Sequence, residues 1–142
     1  MVRHRNSLRR DCRGGAAVEF AVLAPVYLMM LGGMLAYGLY FGAAHSLQQL
    51  AADAARISIA GLDRSERDAF VGIYLDRHAG DYMLIDRAHL EHTIGADPDD
   101  PTQYRVVLRY DASELPIWNL YPPLPLPSRI MTYGATIRLG GL

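Results

Sequence analysis

The hydrophobic pattern divides the chain into regimes of different period. From Phe20 to Ala44 there are 25 residues without a charge. At about 1.5 Å of rise per residue a helix of that length reaches roughly 37 Å, more than the ~30 Å hydrocarbon core of a bilayer. The run is apolar on every side, whereas a helix on a soluble domain keeps a polar face, so it predicts a membrane-spanning helix. From His45 the pattern turns amphipathic. Leu47, Leu50, Ala51, Ala54 and Ile57 recur at helical spacing, while Gln48, Gln49, Asp53 and Arg56 fall off that stripe. One continuous helix from about Gly15 to Ala60 follows, with Gly61 as its stop.

Asp63 with Glu66 three residues on reads as a capping box that opens a second helix. Its predicted apolar face is Ala69, Phe70, Ile73 and Tyr74, and it ends near Gly80. From Asp81 the period drops to two. Tyr82, Leu84, Ala88, Leu90 and Ile94 share one parity, with Asp86 and His92 as exceptions, and predict a strand. The run GADPDDP, Gly95 to Pro101, is a turn. A second strand alternates Tyr104, Val106, Leu108 and Tyr110 against Arg105 and Arg109, so a hairpin is expected. Five of the eight prolines then fall between Leu115 and Pro127, which bars an ordinary helix or central strand. Met131, Tyr133, Ala135, Ile137 and Leu139 predict a further strand. The expected fold class is α+β: a long N-terminal transmembrane helix leading into a small antiparallel sheet of three to four strands. The partition is a leader over 1–14, a transmembrane helix over 15–44 and an extracytoplasmic domain over 45–142.

Charge gives this layout a direction. Residues 1–13 carry five arginines against Asp11, a balance of +4, and the rest carry nine arginines against fourteen acids, a balance of −5. Positive residues beside a spanning helix stay in the cytoplasm, so the N-terminus is expected inside and the C-terminal domain outside. The arginines lie directly against the apolar run, without interleaved aromatics, so they read as a topogenic signal and not as a nucleic-acid arm. Gly42, Ala43 and Ala44 could mimic a signal-peptidase site. The apolar run, however, exceeds the roughly 7–15 residues of a secretory signal core, and Glu19 has no place in one. Cys12 is the only cysteine, so no intrachain disulfide can form.

Chemistry-bearing constellations are few. His89, Glu91 and His92 cluster, but on a strand His89 and Glu91 face one side and His92 the other, unlike metal ligands four apart on a helix. Ser113 with Glu114, and Asp97, Asp99 and Asp100, follow no nucleophile or calcium-loop spacing. The sequence predicts no enzyme, no cofactor, no metal and no small-molecule substrate. Trp118 and Tyr121 either cap the sheet or offer a partner an aromatic contact. Gly38 and Gly42 are spaced as GxxxG, and Gly32 with Ala36 forms a second small pair, which suits helix packing in lipid. Pro25 leaves the carbonyl of Ala21 without a helical partner.

The most specific pattern precedes the run: Arg13, Gly14, Gly15, three residues, Glu19, Phe20. It resembles the processing site of type IVb (Flp-like) prepilins and pseudopilins, in which a membrane aspartic peptidase cuts after a glycine, shortly before a glutamate and an aromatic. That resemblance implies a cut between Gly14 and Gly15, since a cut after Gly15 would leave Glu19 one place too early. RGGAAVEFAVLAP, the apolar run and QQLAADAAR together resemble the TadE-like family of tight-adherence pilus assembly proteins, over about residues 13–57. The resemblance implies a minor pseudopilin with a pilin-like outer domain. Its implied partners are a prepilin peptidase, other pilin and pseudopilin subunits met through the N-terminal helix, and inner-membrane lipid. Physics gives Glu19 a role of its own. Cleavage frees an α-amino group with an ordinary pKa of about 7.7, and a carboxylate one helical turn away can neutralise that amine or a neighbouring subunit's.

Overall fold

The computed structural model describes residues 13–100, 102–119 and 127–138. The chain falls into two compact units, divided between Met34 and Leu35. The first helix, α1 (Arg13–Ser58), is continuous for 46 residues and includes Pro25. Within the second unit its buried stripe is Ala36, Ala43, Ala44, Leu47, Leu50, Ala51, Ala54 and Ala55. Ile57, expected on this stripe, is 40% exposed, and Ser58 is buried in its place. Ten residues beyond Leu47 fall roughly 80° short of three turns at about 3.6 residues per turn, whereas eleven nearly complete them. The Ser58 hydroxyl is satisfied there by donating to the Ala55 carbonyl at 2.7 Å.

Gly61 follows the helix end, but not as a left-handed cap, because no glycine among the described residues has positive φ. A Cβ on Gly61 would lie 2.7 Å from the Arg67 nitrogen and 2.9 Å from its Cα, so only glycine lets the second helix approach. That helix, α2 (Arg64–His78), is capped as expected. The Asp63 carboxylate accepts from the Glu66 N–H at 2.9 Å, and Glu66 reaches back to accept from the Leu62 N–H at 2.8 Å. The Arg67 Nε donates to the Gly61 carbonyl at 2.9 Å, and its guanidinium lies over the Tyr104 ring.

The inward face of α2 corrects the expectation. Val71 and Leu75 are buried, and Ala79 continues their line, whereas Ala69, Phe70 and Ile73 are exposed and Tyr74 is half-buried. Both stripes obey the helical period. The Arg67 contacts and Gly72, which leaves room for the His92 ring, select the neighbouring one. The strand expected from Tyr82 is also corrected, since residues 82–89 form turns. Leu84 adopts φ 64°, which breaks the pleat, and the Asp86 carboxylate accepts from the Ala88 N–H to cap a short 3-10 turn over Arg87–His89. Strand alternation begins only at Leu90.

Three strands, β1 (Leu90–Ala96), β2 (Gln103–Asp111) and β3 (Ile130–Arg138), form one antiparallel sheet in the order β1-β2-β3. Leu90 pairs with Tyr110 and Ile94 with Val106; Leu108 pairs with Tyr133 and Tyr110 with Met131. This register places Leu90, Ile94, Val106, Leu108, Tyr110 and Met131 on one buried face. The β1–β2 turn is held by Asp100, whose carboxylate accepts from the Thr102 N–H and hydroxyl. Tyr121 and Leu139 lie outside the described residues; Trp118 is half-buried, with the Arg129 guanidinium over its ring. A long apolar N-terminal helix followed by a small antiparallel sheet is the α+β class read from the sequence.

Candidate processing and assembly segment

Gly14 and Gly15 lie in the first turn of α1, and a Cβ on Gly15 would meet nothing within 4 Å. Glu19 and Phe20 follow one turn on, both exposed, Phe20 at 72%. Among the described residues no hydrogen bond or ion pair reaches Glu19. An i to i+4 spacing places Gly15 and Glu19 on one helix face, about 6 Å apart along the axis. A carboxylate so placed is available both to an amine at position 15 and to a group brought by another chain.

Beyond Glu19 the surface is apolar throughout. Twelve large side chains between Val18 and Leu35 are exposed, among them Leu28 at 69% and Val22 at 65%. The most apolar window has a mean hydropathy of 1.8, and none of it is buried, so the helix is long and apolar enough to cross a membrane. Burying a side chain of this size contributes about 1.5–3 kcal/mol. Twelve such side chains, each only 43–72% exposed, forgo on the order of 10–20 kcal/mol when left in water.

The four residues proposed for helix packing do not share one environment. A Cβ on Gly32 or on Gly38 would meet nothing within 4 Å. Ala36, by contrast, is fully buried in the second unit, and Gly42 faces Leu84, whose Cδ1 lies 3.7 Å from the position of an added Cβ. Each predicted pair therefore keeps one residue open and has the other occupied within the chain. His89, Glu91 and His92 are likewise separated. His92 faces Asp68 at 3.3 Å from the core side of β1, Glu91 faces Arg109 at 3.7 Å, and His89 lies 3.9 Å from Asp86.

Sequence reasoning missed a polar link that crosses the second unit. The Tyr82 hydroxyl donates to Asp53 Oδ2 at 2.7 Å, and the Tyr74 hydroxyl lies 3.1 Å from that of Tyr82. Arg56 holds the other carboxylate oxygen of Asp53 at 2.8 Å. Burial first, then the hydrogen bonds to Tyr74 and Asp53, push the Tyr82 phenol far above its ordinary value, so it stays a donor. Asp53 reads in the sequence only as a polar residue off the stripe. Its partner is 29 residues away, inside a stretch whose alternation suggests a strand.

No curated protein and no solved structure matches the chain. The match found is to a family and falls on α1: residues 14–56, which hold the glycine pair, Glu19, the exposed apolar run and the buried stripe from Ala36 to Ala55, match the model of the TadE-like protein family.

Proposed function

We propose that the chain is a minor pseudopilin of a tight-adherence pilus or related secretion machine. In this reading α1 crosses the inner membrane with the arginine-rich leader in the cytoplasm, a prepilin peptidase cuts between Gly14 and Gly15, and the helix then joins other pilin subunits. The family match over residues 14–56 carries the reading, because it falls on the segment that holds Gly14, Glu19 and the exposed run. The energetics support it. A surface that forgoes on the order of 10–20 kcal/mol in water must be covered, first by lipid and then by neighbouring helices. Once the amine is free, Glu19 pairs with it or with that of the next subunit, and Gly32 and Gly38 offer points of close approach.

An unprocessed scaffold anchored by the same helix is the alternative, favoured by the doubled glycine, which blurs the cutting register. Intact mass and N-terminal sequencing of the protein recovered from membranes decide between them. A chain beginning at Gly15 is the expected result. A chain that begins at Met1 in cells with an active peptidase refutes the processed-subunit reading.

A further inference from the structure

The two outer strands of the sheet end in edges that differ. The Asp97 N–H donates to the Gln103 carbonyl at 2.9 Å and the Ala112 N–H to the Arg129 carbonyl at 2.8 Å, and these bonds set the phase of both ladders. In an antiparallel pair, residues alternate between turning their backbone groups to the partner and turning them away. Leu90, His92, Ile94 and Ala96 of β1 therefore point theirs out of the sheet, as do Ile130, Thr132, Gly134, Thr136 and Arg138 of β3. The β1 edge is closed by its own chain: Arg87 Nη1 donates to the Leu90 carbonyl at 2.8 Å and Arg64 Nη2 to the Ile94 carbonyl at 3.2 Å. On β3, no hydrogen bond among the described residues reaches the outward backbone groups of Thr132, Gly134 and Thr136.

The β3 edge also lacks the guards that keep an edge strand from pairing, which are proline, charge and bulges. Ile130–Arg138 holds no proline and no charge before Arg138, and it pairs with β2 residue for residue without a bulge. Its two sides differ in chemistry. Toward the core, Tyr133 and Ala135 pack against buried residues yet stay half-exposed, as does Ile137, so an apolar ledge runs along this edge. On the opposite face Gly134 leaves open the space into which Arg105 reaches, its Nε standing 3.0 Å from where a Cβ would be. Arg105 is exposed, and among the described residues no ion pair holds it, whereas Arg109 faces Glu91 and Arg138 has Asp100 near it. Asp97, which reaches the same face, accepts from the Thr136 hydroxyl at 3.2 Å.

We propose that the outer edge of β3 takes one further strand from another protein, an extended segment whose side chains are apolar toward Tyr133, Ala135 and Ile137 and acidic where it passes Gly134. The backbone supplies the affinity, since each outward residue of β3 can exchange two hydrogen bonds with an antiparallel newcomer. The ledge and Arg105 supply the choice. Branched apolar side chains cover the first, and a carboxylate on the neighbouring strand neutralises the second, because opposite charges attract across a strand pair. A glycine inside a strand marks a place where another backbone comes close. A second copy paired about Gly134 would set Arg105 against its own counterpart, like charge on like, so the occupant is a different chain. All of these residues belong to the second unit, and the docking edge does not depend on leader processing.

The test uses the full chain in detergent and an acetylated peptide as long as β3, 9 residues, in which threonine alternates with valine and the central residue is glutamate. A second peptide carries lysine at the centre. Titration and residue-resolved amide hydrogen exchange are the readouts. In the free chain the Thr132, Gly134 and Thr136 amides should exchange fast, and those of Met131, Tyr133 and Ala135, which face β2, slowly. The glutamate peptide should slow the first set and bind about threefold or more tighter than the lysine peptide. Arg105→Gln should erase that preference. Thr132→Pro removes one outward N–H and should abolish binding while the amides that face β2 stay slow; if it unfolds the sheet, Arg105→Gln decides alone. Slow exchange of the outward amides in the free chain at every concentration means that the chain covers its own edge, and overturns the proposal. Protection that grows as the free chain is concentrated assigns the edge to a second copy, and overturns it as well. No binding of either peptide, equal affinity for both, or protection on β1 instead of β3 does the same.

Discussion

Removing the carboxylate at position 19 is the most informative perturbation of the assembly segment. Glu19 is exposed and unpaired among the described residues, and the group it is proposed to meet is an amine one helical turn away or at the same level of a neighbouring helix. Over about 6 Å two unit charges attract by about 0.7 kcal/mol in bulk water and by about 3 kcal/mol at an effective dielectric near 20. The membrane edge lies between these limits, so Glu19→Ala should weaken each helix–helix step by about 1–2 kcal/mol, roughly a five- to thirtyfold loss per step. Glu19→Gln isolates charge from shape and should lose nearly as much. The assay reads two quantities from one culture: the mass of the membrane form, for leader removal, and the fraction recovered with sheared pili or with crosslinked partner subunits. Glu19→Ala that is processed and assembles like the parent would refute the pairing. A variant that is not cut would instead assign Glu19 to peptidase recognition.

The second unit supplies further tests, each read by thermal or urea unfolding of the full chain in detergent. Tyr82→Phe removes the hydroxyl that joins Asp53 to Tyr74 and should cost about 1.5–3 kcal/mol, as for hydrogen bonds to charged groups; an unchanged midpoint would deny the link any weight. Gly61→Ala forces a methyl against the Arg67 backbone and should cost about 1–3 kcal/mol, whereas Gly80→Ala, which meets nothing within 4 Å, should not. Asp100 and Asp111 are held below the ordinary carboxylate range, Asp100 mainly by the Thr102 hydroxyl and N–H and Asp111 by those of Ser113. Folded values below the unfolded ones mean that their contribution is present above about pH 4 and is lost as pH falls through the folded values. Asp100→Asn with Asp111→Asn should therefore flatten the acid limb of the stability profile, and an unaltered limb would contradict the assignment.

What the sequence reveals depends on how strictly period constrains each element. The sheet is legible because β2 alternates Tyr104, Val106, Leu108 and Tyr110 against arginines, and a one-residue slip would turn every one of them outward. The capping of α2 is legible because Asp63 and Glu66 act within one turn of themselves. The rotation of α2 is not, since Val71–Leu75 and Phe70–Tyr74 are adjacent stripes of equal period, and contacts to Gly61 and His92 choose between them. Tyr82 to His89 alternates like a strand, but pairing requires an extended backbone, and Leu84 and Asp86 commit theirs to turns. In the assembly segment the glycine pair, Glu19 and the apolar run are local and readable. The occupation of Ala36 and Gly42 by the chain's own fold is long-range and leaves no trace in spacing.

That occupation shows how one helix serves two surroundings without a change in polarity. Between Val18 and Leu35 the exposed residues are mostly large: valine, leucine, methionine, phenylalanine and tyrosine. Such side chains offer broad area to fluid acyl chains, which adjust to any shape. From Ala36 the buried positions turn small, with Ala43, Ala44, Ala51, Ala54 and Ala55 around the larger Leu47 and Leu50. Small residues let other elements come close to the helix backbone, and a close-packed interior punishes volume mismatch that lipid does not. Side-chain volume, with hydropathy held nearly constant, therefore marks where α1 stops facing outward and becomes part of a core. A hydropathy reading alone carries the span on to Ala44, whereas burial places the change eight residues earlier, at Ala36.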